Sequence, residues 1–175
     1  MLEPMTVRAE VWPVAADEIG IWLASGPEPW LSAPVMADSE PHAEVELELA
    51  TRDVADMVAL LHSTSWRADG PHLIVTYMAV LRVPGLVREV LPRAVPVCAE
   101  LAGEVGKPPT HAPTEAPAPR YIDVLMHGLR HLRWLADPRN DATSSAAFPA
   151  HWHKHLEPLA PVLATMYDEA HKAAS

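Results

Sequence analysis

Residues 57–82 read MVALLHSTSWRADGPHLIVTYMAVLR, and this stretch decides the fold. Two runs rich in β-branched and apolar residues, 57–67 and 72–82, flank the pair Asp69-Gly70. An Asp-Gly pair between two such runs is a strong signal for a tight turn that joins antiparallel strands. The stretch therefore predicts a β-hairpin.

A second hairpin is predicted nearer the N-terminus. The runs Val7–Trp12 and Ile19–Ala24 are short and apolar, and a polar turn at 16–18 separates them. A glycine and two prolines at 26–29 then interrupt the pattern, which places Trp30 in a loop or a short strand.

The segment 39–54 fits two structures. Apolar residues at 45, 47 and 49 alternate with glutamates, which is typical of a strand with one buried face. Apolar residues at 43, 47, 50 and 54 recur at helical spacing, and Pro41 suits the first turn of a helix. We favour the helix and keep the strand as the alternative.

The last third of the chain is predicted to be helical. Residues 120–136 carry one continuous stripe of isoleucine and leucine, which predicts a helix. A second apolar stripe over 148–170 predicts a long final helix that is kinked at Pro158 and Pro161.

Short helices are predicted at 86–91 and 97–105, and the prolines of 106–119 predict an extended strap. The predicted fold class is α+β, with a mixed or antiparallel sheet flanked by helices and a helical C-terminal third. The predicted organisation is a single domain, 1–175, made of a sheet-containing body (1–105), the proline-rich strap (106–119) and two C-terminal helices (120–175).

Composition excludes several classes of function. The chain has 175 residues and a formal net charge of −10, because residues 1–60 hold twelve acidic residues against Arg8 and Arg52. Without a basic patch we expect no nucleic-acid partner. We also expect no membrane partner, because no apolar run approaches the ~20 residues that cross a bilayer. Cys98 is the single cysteine, which fits a cytoplasmic protein.

Polar residues interrupt the first strand of the predicted hairpin at 62–67. In a regular strand His62, Thr64 and Trp66 share one face, and Arg67 lies on the other. An imidazole, a hydroxyl and an indole on a concave sheet face would hold a small polar ligand with a planar group, so all four residues are candidate ligand-binding residues. The alternative is a strand whose polar residues face water.

The strap provides a second candidate ligand site. Thr114 lies in the strap and Arg120 begins the predicted helix 120–136, whose N-terminal amides attract anions. A phosphate or carboxylate would dock there. The alternative is that Thr114 or Glu115 caps the helix locally and that the prolines brace the strap against the body of the domain.

Three residues of the same helix are candidate metal ligands. Asp123, His127 and His131 are spaced by four residues and share one helical face, opposite the leucine stripe. Zinc would need a further ligand beside the two imidazoles. The alternative is a packed or solvated face without a metal ion.

The order strand, strand, acidic helix, strand hairpin and C-terminal helices over 7–82 resembles the Nudix hydrolase superfamily. The family's signature box is Gly, five residues, Glu, seven residues, Arg-Glu, an aliphatic residue, any residue, Glu-Glu, any residue and Gly. With Glu40 as the first glutamate, the Arg-Glu pair falls on Glu48-Leu49 and the Glu-Glu pair falls on Arg52-Asp53. This sequence therefore departs from the box at both pairs.

The resemblance implies a Nudix-like protein that binds a nucleotide or another phosphorylated small molecule, with hydrolysis lost or altered. If catalysis is retained, Glu44 and Glu48, one helical turn apart, would hold magnesium on a diphosphate. The alternative function is a non-enzymatic interaction or regulatory module, which binds a protein partner or a second copy of itself through the C-terminal helices.

Overall fold

A computed structural model of the protein describes residues 5–36, 38–101 and 119–162. The described residues form seven strands, β1 (Thr6–Ala16), β2 (Ile21–Leu23), β3 (Trp30–Leu31), β4 (Val35–Met36), β5 (Val58–Asp69), β6 (His72–Leu81) and β7 (Val95–Pro96). They also form five α-helices, α1 (Pro41–Thr51), α2 (Val87–Val90), α3 (Tyr121–Leu135), α4 (Ala142–Ser145) and α5 (Ala150–Leu156). Single 3₁₀ turns lie at Ala55–Met57 and Ala99–Leu101. The predicted α+β class is confirmed.

The hairpin predicted at 57–82 is confirmed. Strands β5 and β6 pair antiparallel from Val58↔Leu81 to Asp69↔His72. The turn between them contains Gly70 at φ 56°, a left-handed conformation that glycine adopts without a steric penalty.

Strand β1 is the centre of a mixed sheet whose order is β5-β6-β1-β2-β7. It runs parallel to β6 over ten residue pairs. Along its other edge, β4, β3 and β2 pair with it in turn, all antiparallel, so the predicted N-terminal hairpin of β1 and β2 is also confirmed.

Helices cover both faces of the sheet. On one face, Val11 and Ala15 of β1 pack in a cluster with Val45 and Leu49 of α1. On the other face, alternate residues of β1 such as Trp12 pack in a cluster with α3 and α5. Because both faces are buried, the central strands are almost continuously apolar.

Within the segment 39–54, residues Pro41–Thr51 form helix α1, so the strand alternative is wrong. Pro41 occupies the first turn of α1, and Val45 and Leu49 are its buried residues. Asp53 then adopts φ 57°, and the N–H of Val54 donates to the Leu49 carbonyl, which ends the helix.

The prediction of helix α3 is confirmed at Tyr121–Leu135. At Gly128 the helix lies so close to the sheet that an added Cβ would overlap Sδ of the fully buried Met78.

Two other helix predictions need correction. The final helix ends at Leu156, and the segment 157–162 is irregular, because Pro158 and Pro161 lack the amide N–H that a helix needs. Residues 97 and 98 are not helical either, since they follow β7 directly. Residues 163–170 of the predicted final helix and the strap residues up to 118 lie outside the described part of the chain.

Within the described ranges, no helix combines the length and the apolar character needed to cross a membrane.

Candidate functional site

A pocket of about 260 Å³ opens on the α1 face of the sheet, and two arginines line it. Arg52 comes from the end of α1 and Arg93 from the segment after α2. Trp30 of β3 and Ser25, which follows β2, complete the polar lining. We call this the arginine pocket.

Two neighbours position the Arg52 side chain in the arginine pocket. Its guanidinium carbon lies 5.3 Å from the centroid of the Trp30 ring, within the range of a cation–π contact. Its Nη2 lies 3.5 Å from Oε2 of Glu48, one helical turn earlier. Arg52 therefore stacks on an aromatic ring beside a carboxylate.

The apolar part of the pocket comes from the core that α1 covers. Ala24 and Val54 are buried and Leu91 is partly buried. Asp53 reverses the chain at the end of α1, so its two neighbours, Arg52 and Val54, both line the pocket. The hydroxyl of Ser25 has no hydrogen-bond partner.

The structure places the candidate magnesium ligands, Glu44 and Glu48, half-buried on α1. Glu48 forms its ion pair with Arg52, which already balances its charge. Across the described residues, no three or more His, Cys, Asp or Glu side chains are arranged to hold a metal ion. Glu44 and Glu48 therefore belong to no such group within the described part of the chain.

A β-bulge rearranges the candidate ligand residues of β5. His62 pairs with Met78 and Trp66 pairs with Val75, while Thr64 is the extra residue between two register positions. Cross-strand partners share a face, so His62 lies on the α3 face and Trp66 on the α1 face. The prediction that His62, Thr64 and Trp66 share one face is wrong, because the bulge shifts the alternation by one residue.

The individual environments of these residues differ as well. Trp66 is 72% exposed, whereas Thr64 is buried and its hydroxyl has no hydrogen-bond partner. Arg67 reaches across β6 and binds Glu10 with two hydrogen bonds, of 3.0 and 2.5 Å. Glu10 is fully buried, so Arg67 serves to balance a core carboxylate.

Three imidazoles meet between α3 and β5, and we call them the histidine cluster: His62, His127 and His131. The ring of His131 lies 5.2 Å from that of His127 and 6.0 Å from that of His62. His127 and His131 are buried, and both ring nitrogens of His131 have no hydrogen-bond partner.

Burial dominates the ionisation of the histidine cluster. Desolvation, followed by the nearby rings of His127 and His62, lowers the pKa of His131 to about 4. Desolvation also lowers the pKa of His127, with Arg130 adding to the effect. For His62 desolvation lowers the pKa and Asp141 opposes it. The cluster is therefore neutral near pH 7.

The remaining candidates lie at the start of α3. Asp123 is buried and forms an ion pair with Arg120, with donor–acceptor distances of 2.8 Å. Among the described residues it belongs to no group of three or more potential metal ligands. Thr114 lies outside the described residues, and the anion site predicted for it and Arg120 stays a prediction.

Sequence reasoning missed the arginine pocket. Its polar residues, Ser25, Trp30, Arg52 and Arg93, come from four separate segments and form no contiguous motif. One signal pointed to it, since Arg52 stands where the Nudix-like alignment expects a glutamate.

No family model matches this sequence, and neither does any curated protein. The fold and the pocket define the chain as an α+β protein with a mixed sheet, helices on both faces and an arginine-lined pocket.

Proposed function

We propose that this protein binds a small phosphorylated molecule in the arginine pocket, and that it does so without hydrolysing it. The observation that carries the proposal is the presence of Arg52 and Arg93 in one pocket with the indole of Trp30. Guanidinium groups match phosphate oxygens in geometry and charge.

The other polar groups suit the same ligand. The hydroxyl of Ser25 is buried and lacks a partner, so after a change of its side-chain rotamer a phosphate oxygen would accept its hydrogen bond. Because Arg52 is stacked on Trp30, its guanidinium is partly ordered before a ligand arrives, which lowers the entropy cost of binding.

We also propose that the protein is Nudix-like and that arginine replaces the metal ion of that family. In the alignment, Arg52 occupies the first position of the later Glu-Glu pair. A guanidinium there supplies positive charge to the phosphate directly, so binding would not depend on magnesium. Glu44 and Glu48 would act as magnesium ligands only if the protein proves to be a hydrolase.

Calorimetric titration of the protein with inorganic phosphate, AMP and ADP, in EDTA and again in magnesium, tests the proposal. We expect binding in EDTA and no release of phosphate. Arg93→Ala should weaken binding by about 1.5–3 kcal/mol, roughly 10- to 150-fold, because it removes a charge-assisted contact. Arg82→Ala is the matched control, since Arg82 is exposed and lies outside the pocket lining.

Two results would count against the proposal. The first is the absence of binding by every phosphorylated compound, or binding that Arg93→Ala leaves unchanged. The second is binding that requires magnesium, together with turnover that Glu44→Gln abolishes, which would return the protein to the metal-dependent hydrolases.

The alternative, a module that self-associates through the C-terminal helices, has less support. Phe148, Trp152 and Leu156, the part of the apolar stripe that the structure describes, are buried in the core of their own chain. A protein partner therefore remains the second proposal. For location we propose the cytoplasm, because Cys98 is the single cysteine.

A further inference from the structure

We propose that the ligand of the arginine pocket is a phosphate monoester of a small apolar alcohol, and that a nucleotide is not the preferred ligand. This inference rests on the proposed function and adds the chemical class of the group that carries the phosphate. Three features of the pocket support it: its charge, its apolar lining and its size.

The charge of the pocket favours a monoester. Arg52 and Arg93 both line the pocket, and the carboxylate of Glu48 lies 3.5 Å from the Arg52 guanidinium. A phosphate monoester carries about −1.5 to −2 charges at pH 7, whereas a diester or a carboxylate carries one. Of these anions, the monoester is therefore best able to compete with the Glu48 carboxylate for the Arg52 guanidinium.

The rest of the pocket favours an apolar substituent. Its remaining lining includes Ala24, Val54 and Leu91, none of which can hydrogen-bond through its side chain. In the described lining, the hydroxyl of Ser25 and the indole N–H of Trp30 are the polar side-chain groups besides the arginines. A ribose and a base would bring more hydrogen-bonding groups than these can satisfy, and each unsatisfied group weakens binding.

The size of the pocket points the same way. Its volume is about 260 Å³, at the lower end of ligand pockets, and it is open to solvent on one side. A phosphate and a group of about one ring fit this space. Trp30 would contact such a ring with its edge or with the part of its face that Arg52 leaves free.

Calorimetric titration of wild-type protein in EDTA with four probes tests the inference: inorganic phosphate, phenyl phosphate, benzoate and AMP. We expect phenyl phosphate to bind at least about tenfold more tightly than inorganic phosphate, because the ring leaves water for an apolar surface. It should also bind more tightly than benzoate, which has the ring and a single charge, and more tightly than AMP.

Variants at Leu91 locate the apolar contact. Leu91→Ala should weaken the binding of phenyl phosphate by about fivefold and leave the affinity for inorganic phosphate unchanged. Leu91→Met should keep both affinities. Circular dichroism and thermal melting check that each variant folds. If Leu91→Ala does not fold, the order of the four affinities measured on the wild-type protein still tests the inference.

The outcomes separate this inference from the proposed function. If AMP binds more tightly than phenyl phosphate and Arg93→Ala weakens it, the protein binds phosphorylated molecules but the inference is wrong. If benzoate binds as tightly as phenyl phosphate, the preference for a monoester is wrong. If neither phosphate nor any phosphate ester binds, both proposals fail together.

Discussion

Replacing His131 by leucine should make the protein less sensitive to acid. His131 is 3% exposed and lies in the histidine cluster, with the rings of His127 and His62 on either side. Burial and these two rings lower its pKa from 6.5 to about 4 in the folded state. The unfolded chain keeps a value near 6.5.

The sign of the effect follows from proton binding. Between about pH 6.5 and pH 4 the unfolded chain binds a proton at His131 that the folded protein does not. The free energy of unfolding is therefore not reduced by His131 above the pKa of the unfolded chain. It decreases as the pH drops from that value towards the pKa of the folded protein. From pH 7.5 to pH 5 the loss amounts to about 2 kcal/mol for His131 alone. His127 and His62 add losses of the same sign, since burial lowers the pKa of each.

Urea denaturation at pH 7.5, 6 and 5 measures the free energy of unfolding of wild type and His131→Leu. The difference between the two proteins isolates this effect, because the carboxylates titrate in both. Wild type should lose about 2 kcal/mol more than His131→Leu over this range. His153→Leu is the matched control, because His153 is exposed and lies outside the cluster, and it should lose as much as wild type. Equal losses in wild type and His131→Leu would refute the reasoning.

Three further predictions concern stability. Gly128→Ala should lower the free energy of unfolding by about 1–2 kcal/mol, because the steric overlap of the new methyl group with Met78 costs more than the higher helix propensity of alanine contributes. An unchanged melting temperature would contradict this. Asp53→Gly should raise the free energy of unfolding by about 0.5 kcal/mol, since glycine adopts φ 57° without strain; a loss in urea denaturation would show that the aspartate side chain contributes instead. Arg67→Met should lower the free energy of unfolding by about 3 kcal/mol, because it leaves the buried Glu10 carboxylate without its counter-charge. Adding Glu10→Gln should recover much of that loss in the same assay, and no recovery would mean that the arginine acts through packing.

The elements that were predictable from the sequence have local causes. The β5–β6 hairpin follows from two strand-forming runs around Asp69-Gly70, and α3 follows from one apolar stripe, so each signal lies within its own element. Helix α1 was ambiguous because its glutamates alternate with apolar residues, and contact with the sheet decides the outcome. Only Val45 and Leu49 of that helix are buried, which is a narrow helical face.

The parts that could not be predicted depend on contacts between distant segments. The bulge at Thr64 has no glycine or proline to mark it, yet it moves Trp66 to the opposite face from His62. The arginine pocket joins residues as far apart as Ser25 and Arg93. Their meeting depends on the order of strands in the sheet, which short-range patterns do not contain.

The central position of β1 also bears on how the chain folds as the ribosome makes it. Thr6 pairs with His72, which is synthesised 66 residues later, so one edge of the first strand must wait for β6. The β5–β6 hairpin needs only a two-residue turn and closes far sooner than this long loop. We therefore expect the hairpin to form first and β1 to dock onto it. A nascent chain that ends before residue 72 would leave that edge of β1 exposed to other strands.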